Sequence, residues 1–249
     1  MIADTPALKA ESIHKRFGGI HAVKGVSFEA ARGSVLGVIG PNGSGKTATI
    51  NLLSGAYKLD SGSISIGGHV ATGRPAHEFV TWGVARTFQN PRVFKTLTVK
   101  ENLVISVAHR RSGLSGGSLN QQIEKWLGCT GLTAFSGRVA QELSGGQQKL
   151  VEFARAMVHQ PSVVLMDEPF AGVHPHVKAV LHEQISQHAV NDRTTFVIVS
   201  HEIPDLIKLS DRFVCMAGGE ILTEGTPADV CGDARVIDAY LGTPVKAAS

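Results

Sequence analysis

The sequence predicts an α/β fold with a mainly parallel sheet, an antiparallel β portion at the N-terminal end and a helical insertion. Three observations carry this. Short apolar runs at residues 34–39 and 162–166 stop abruptly at Gly40 and Asp167, as strands buried on both faces do. Such strands alternate with amphipathic helical segments, which implies crossovers onto a parallel sheet. From residue 99 to about 134 the β signal disappears and helical spacing takes over.

In chain order, residues 8–17 and 23–28 carry β-type residues, with Gly18-Gly19 between them as a turn. Residues 34–39 are a strand, and 47–53 are a helix closed by Gly55. Strands follow at 61–66 and 84–88, the second ending at Gln89. Helices are expected at 99–110 and 119–127, separated by a Gly/Ser-rich loop at 112–118. Residues 147–159 form an amphipathic helix with Leu150, Val151, Ala154 and Val158 on one side. A buried strand at 162–166 precedes a helix at 176–190, with Val180, Leu181 and Ile185 facing inward. Residues 195–199 are another buried strand. Residues 212–216 and 220–223 read as a hairpin around Gly218-Gly219, and 228–241 as a terminal helix.

A chain of 249 residues suits one core with a smaller subdomain. We expect a single unit over 1–249, with 1–89 and 159–249 as the catalytic core and 90–158 as a helical subdomain. Hydrophobic residues make up 43% and charged residues 18%, the balance of a soluble globular protein. The net charge of +3, with no dense Lys/Arg run, argues against a nucleic-acid partner. Lys9, Lys15, Arg16 and Lys24 read as solvated surface. Cys129, Cys215 and Cys231 are odd in number and widely spaced, which points to a reducing cytosol rather than a disulfide framework or zinc site. No signal-peptide pattern opens the chain, and its apolar runs are too short to span a bilayer, so a membrane role needs another subunit to do the spanning.

The chemistry begins at Gly40-Pro41-Asn42-Gly43-Ser44-Gly45-Lys46-Thr47, which fits GxxxxGK[ST] between a strand and a helix. Glycines let the backbone wrap a polyphosphate with N–H groups inward, and the helix N-terminus favours the anion. Lys46 can reach the β- and γ-phosphates, and the Thr47 hydroxyl can ligate Mg²⁺. A second signal is the apolar strand ending in Asp167 and Glu168. Asp167 suits Mg²⁺, and Glu168 can polarise an attacking water. The third is Leu143-Ser144-Gly145-Gly146-Gln147, where small residues open a helix and can expose N–H groups and a hydroxyl to an anion. The near-copy Leu114-Ser115-Gly116-Gly117-Ser118 lacks the following Gln and leads into no comparable helix, so it reads as a flexible loop.

Here the chain resembles a known family. Leu143–Gln147 matches the LSGGQ signature of ABC ATPases and places Ser144 23 residues before Asp167, as that family has it. The resemblance covers about residues 8–241. It implies that Gly40, Asn42, Gly43, Ser44, Gly45, Lys46, Thr47 and Ala48 hold ATP. It implies that Ser144, Gly145, Gly146 and Gln147 contact the γ-phosphate of an ATP held by the opposite protomer. By the same resemblance, Gln89 is the glutamine that senses Mg²⁺ and water, His201 is the switch histidine at the γ-phosphate, and Phe17 stacks on adenine. Thr47, Gln89 and Asp167 are the implied Mg²⁺ ligands, and Glu168, His201, Gln89 and Lys46 the implied catalytic set. The implied partners are a second copy or a sister ATPase, transmembrane permease subunits and, indirectly, a substrate-binding protein. The implied location is cytoplasmic, peripheral on the inner face of the membrane.

Phe17-Gly18-Gly19, Arg86-Thr87-Phe88-Gln89-Asn90, Phe170-Ala171-Gly172-Val173 and the ending Val236-Ile237-Asp238-Ala239-Tyr240-Leu241-Gly242 resemble the ATPases of branched-chain amino acid and amide importers. Two positions depart from the family. Ala48 stands where a second Thr or Ser usually helps bind the α-phosphate, and His174 precedes Pro175 where Asp or Asn is usual. The insertion is also shorter than is common in this group. His174 and His176 form an HxH pair, but no third metal ligand is in view and the loop position explains them. Other ABC roles fit less well. Chromosome-organising members carry long coiled coils between Lys46 and Asp167, an interval of 121 residues here without sustained heptads. Translation-type members normally have two cassettes, and this chain has one. Glu168 and His201 argue against a non-hydrolysing scaffold, and LSGGQ against a small-molecule kinase.

Lys46→Ala is expected to abolish ATP binding. Retained micromolar affinity in a nucleotide titration would contradict the phosphate-loop assignment.

Overall fold

The computed structural model describes residues 5–107 and 116–241. Strands β1 (Leu8–Phe17) and β2 (Ile20–Ala30) pair antiparallel about the turn at Gly18, where φ is 56°. With β4 (Ser61–Ile66) and the two-residue β5 (His69–Val70) they form a sheet in the order β2-β1-β4-β5. The second sheet contains β3 (Val35–Ile39), β6 (Val84–Thr87), β7 (Val163–Asp167), β8 (Thr195–Val199), β9 (Arg212–Ala217) and β10 (Glu220–Gly225). Its order is β10-β9-β3-β8-β7-β6, parallel throughout except for the β9–β10 hairpin at one edge.

Every residue of β3, β7 and β8 is buried, and the two-residue alternation sorts them onto two cores. Leu36, Val38, Val163, Leu165, Val197 and Val199 face α1 (Lys46–Leu53) and the antiparallel sheet. Ile39, Val164, Met166, Phe196 and Ile198 face α5 (Gly145–Met157) and α6 (Pro175–Asn191). Each such side chain contributes about 1.5–3 kcal/mol on burial. The insertion supplies α3 (Val99–Val107) and α4 (Gly116–Cys129), which join the second core through Val99, Leu103, Ile123, Trp126 and Leu127. No helix of the described residues is long and apolar enough to cross a membrane.

Several elements differ from expectation. The short helices α2 (Ala76–Thr81) and α7 (Ile203–Ile207) and strand β5 span at most six residues, too few to show a hydrophobic period. The single terminal helix is in fact two, α8 (Pro227–Gly232) and α9 (Ala234–Leu241), parted at Asp233, whose ψ is 122°. Thr226 caps α8 in a reciprocal pair with Asp229, and Pro227 sits at its first position, a start signal that was legible. Of the loop expected at 112–118, residues 112–115 lie outside the described residues, while 116–118 already belong to α4. Residues 108–110 of the preceding helix and Gly242 also lie outside them.

The carboxyl ends of the parallel strands β3, β6, β7 and β8 point the same way. Loops 40–45, 88–92, 168–174 and 200–202 therefore gather along one edge of the sheet, where open α/β sheets bind ligands.

Candidate active site

The loop after β3 is shaped by glycines that nothing else can replace. At Gly40 φ is 147°, and a Cβ would lie 2.1 Å from the Met216 carbonyl. At Gly45, the N-cap of α1, φ is 101°, and a Cβ would lie 2.4 Å from the Ala22 carbonyl. The loop thus threads between β9 and β2 with no room for a side chain. Asn42, Gly43 and Thr47 are exposed on its outer side, Ser44 is buried, and Ala48 packs against the α1 core. Lys46 curls back over the loop, its Nζ 2.6 Å from the Gly40 carbonyl and 2.9 Å from the Pro41 carbonyl. Burial pushes its pKa down, opposed by Glu168, Cys215 and Asp167.

Two strands away, β7 delivers the acidic pair. Asp167 is buried, and burial pushes its carboxyl up, with Arg86 3.7 Å away pulling in the other direction. Its Oδ1 has no hydrogen-bond partner among the described residues. A buried, unpartnered carboxylate oxygen on Asp167 and an exposed hydroxyl on Thr47 are hard-oxygen donors of the kind that Mg²⁺ takes, so the residue types fit that ion. Arg86 also donates to Asn51 Oδ1 (2.7 Å) and Ser54 Oγ (2.8 Å), tying the Asp167 strand to the helix that follows the loop.

Glu168 has φ 49°, a left-handed conformation that an L side chain rarely adopts. That turn aims its carboxylate at the loop after β8. Oε2 accepts from the Ser200 hydroxyl (3.1 Å) and the His201 N–H (3.2 Å), and His201 Nδ1 lies 2.8 Å from it. Acid and histidine therefore meet directly, with His201 otherwise half open to solvent.

Helix α5 supplies the remaining parts. Ser144 is its N-cap: Ser144 Oγ accepts from the Gln147 N–H (3.3 Å), and Gln147 Oε1 accepts from the Ser144 N–H (3.0 Å). Gly145 opens the helix, and a Cβ on Gly146 would press Val177 at 3.0 Å. Among the described residues no hydrogen bond joins Ser144 or Gln147 to Lys46, Asp167, Glu168 or His201. The structure brings the latter four to one edge of the sheet, and Ser144 bonds to none of them.

Three charged residues farther along α5 escaped the sequence reading. Lys149 Nζ donates to the carbonyls of Glu168 (2.8 Å), Pro169 (3.4 Å) and Ala171 (3.0 Å). Glu152 accepts from the Phe88 N–H (3.1 Å) and the Arg92 N–H (2.7 Å), fixing the loop that carries Gln89. Arg155 reaches Ser106 and the Arg92 carbonyl. Burial lowers the Lys149 pKa and raises that of Glu152. The signal was the recurrence of charge every three residues in a helix whose other side is apolar. Gln89 itself is exposed just past β6. Phe17 is exposed and meets Tyr57, a second overlooked residue, edge to face at 5.2 Å. His174 is the N-cap of α6, with Nδ1 accepting from the His176 N–H.

Geometry of this kind, a glycine loop and lysine facing an acidic strand end across a parallel sheet, is that of P-loop nucleotide-hydrolysing proteins. The family model described as ABC transporter matches residues 23–171, and that described as branched-chain amino acid ATP-binding cassette transporter matches residues 220–246. The high-affinity branched-chain amino acid transport ATP-binding protein LivG of Salmonella typhimurium is 35% identical over 250 residues, covering 95% of this chain and 98% of that protein. BraF of Pseudomonas aeruginosa, of the same description, is 36% identical over 255 residues, with coverage of 95% and 98%. A nucleotide-free ATP-binding cassette from an ABC transporter superposes with a TM-score of 0.84 at 32% identity, covering 96% of this chain and all of that one. The chain belongs to the ABC transporter family of ATP-binding ATPase subunits.

Lys149→Met keeps the unbranched apolar stem of the side chain and removes its charged end. Unfolding free energy is expected to fall by about 1.5–3 kcal/mol in urea titration, because three carbonyls lose a charged donor. Turnover should fall about tenfold or more while ATP binding persists. Unchanged turnover would show that Lys149 does not position Glu168.

Proposed function

We propose that this chain is the ATP-hydrolysing motor of an importer for branched-chain amino acids or related amides. The convergence of Lys46, Asp167, Glu168 and His201 on one sheet edge supports the hydrolytic part. The substrate class is supported by the printed functions of LivG and BraF and by the C-terminal match at residues 220–246.

The reaction is ATP plus water to ADP plus phosphate. The loop amides of Gly43, Gly45 and Lys46 and the Lys46 ammonium cradle the phosphates, and Asn42, Ser44, Thr47 and Ala48 line the same loop. Binding exchanges the Gly40 and Pro41 carbonyls around Lys46 for phosphate oxygens. Phe17, backed by Tyr57, stacks on adenine, a contact type that contributes about 1–3 kcal/mol per base. Glu168 orients the attacking water and accepts its proton, and His201, held beside it, contacts the γ-phosphate. Thr47 Oγ1, Asp167 and Gln89 would hold Mg²⁺, which when bound would neutralise charge on the β- and γ-phosphates.

The capped start of α5, Ser144-Gly145-Gly146-Gln147, makes no hydrogen bond to its own Lys46 among the described residues. We assign it to the nucleotide of a second chain, a homodimer or a sister-ATPase heterodimer, so that ATP joins two protomers and hydrolysis releases them. The helical part, residues 90–158, docks to transmembrane permease subunits near Gln89 on the inner face of the membrane. A substrate-binding protein acts on the complex only through those subunits, and nucleic acid has no part.

Glu168→Gln is expected to bind ATP, to lose about a hundredfold or more of its turnover, and to accumulate as an ATP-dependent dimer by size exclusion with light scattering. Wild-type phosphate release would remove Glu168 from the mechanism, and a strictly monomeric variant at saturating ATP would defeat the shared site. In membranes carrying the permease, a photo-crosslinker at Phe94 or Ile105, both exposed, should capture a transmembrane subunit. Capture from neither position would place the docking surface elsewhere.

A further inference from the structure

The first amide of the phosphate loop has a partner two hundred positions away. The Gly40 N–H donates to the Tyr240 hydroxyl at 2.7 Å. The ladder between β3 and β8 closes with Ser200 N–H on the Val38 carbonyl at 3.4 Å. The next β3-side amide facing that direction is Gly40's, and the tyrosine takes it in place of the strand. Tyr240 sits on α9, whose Val236 is buried in the same core as Val230 of α8, so the last two helices are packed onto the body of the ATPase. Burial pushes the phenol up to about 12, with the Cys215 and Cys231 thiols and Glu168 acting in the same direction. The hydroxyl therefore stays neutral at physiological pH. It accepts one hydrogen bond from the loop and keeps a proton of its own to give.

Gly40 adopts a conformation that only glycine tolerates, between the Met216 carbonyl and Ser44 Oγ, and its carbonyl holds Lys46. Whatever fixes the Gly40 peptide fixes the direction of the loop amides that follow and the resting place of the Lys46 ammonium.

We propose that Tyr240 is a positioning residue for the ATPase reaction, and that through it the C-terminal helix α9 forms part of the nucleotide site. Filling the phosphate loop steadies α9, and by linkage a partner that pulls α9 away weakens nucleotide binding by the same factor. The inference rests on the loop being the ATP site.

The test uses the full-length chain and Tyr240→Phe, which keeps the ring and removes only the hydroxyl. Loss of one hydrogen bond should raise the Kd and KM for ATP about threefold to tenfold, with kcat falling less than KM rises. The second measurement is hydrogen exchange over residues 234–241. In the wild type, ATP is expected to slow exchange there, and in Tyr240→Phe that response should be lost while the apo rate changes little. Val236→Ala serves as a control: it loosens α9 but retains the hydroxyl, so exchange should rise in the apo state and still respond to ATP. Equal ATP affinity in Tyr240→Phe and wild type, or an undiminished exchange response without the hydroxyl, would overturn the proposal. Failure of the wild type itself to bind ATP would instead overturn the phosphate-loop reading.

Discussion

The site depends on the row of charged side chains along α5. Lys149, Glu152 and Arg155 recur every three residues, so they lie along one stripe of the helix, opposite Ser144 in role but continuous with it in the chain. Each is partnered by loop backbone: Lys149 by the carbonyls of residues 168, 169 and 171, Glu152 by the amides of residues 88 and 92, Arg155 by the loop carbonyl at 92. Loops have few internal bonds to hold their shape. Here their polar groups are satisfied by a rigid helix, and charged donors and acceptors make those bonds stronger than neutral ones. One helix therefore sets three things at once: the Glu168 turn, the Gln89 segment and the capped serine that we assign to a neighbouring protomer.

This arrangement explains why Glu168 can hold a left-handed backbone. Such a conformation costs on the order of 1–3 kcal/mol and persists only where the surroundings over-determine it. Its amide is bonded to the Val199 carbonyl, its own carbonyl to Lys149, and its carboxylate to Ser200 and His201. The strain places an acidic side chain across the end of β8, where an extended residue would continue along β7. Asp167 is held at the end of the same strand, one oxygen facing Arg86 while the other has no hydrogen-bond partner among the described residues.

Lys46 shows how the loop carries its own counter-groups. Its ammonium rests on two loop carbonyls in a mostly buried position. These are neutral acceptors, weaker than phosphate oxygens, so the lysine is held in place without being committed. Arg86 adds a mechanical link from Asp167 at the end of β7 to Asn51 and Ser54 at the C-terminal end of α1.

Much of this was legible in the primary structure. Glycine-dependent φ angles, strands buried on both faces and the spacing of Lys46, Ser144 and Asp167 are local or periodic properties, and short-range sterics and hydrophobic alternation determine them. The identity of every strand in the parallel sheet could be read that way, from Val35 to Ala217. Elements of two to six residues, such as β5, α2 and α7, could not, because they contain less than two full periods of their pattern. Nor could the roles of Lys149, Glu152, Arg155, Arg86 and Tyr240. A charged or phenolic side chain carries no sequence mark of the partner it will meet 20, 60 or 200 positions away. Only the packing of α5, β6 and α9 against the sheet edge determines which buried carbonyl or amide each must satisfy, and an unsatisfied one is too costly for the fold to leave the choice open.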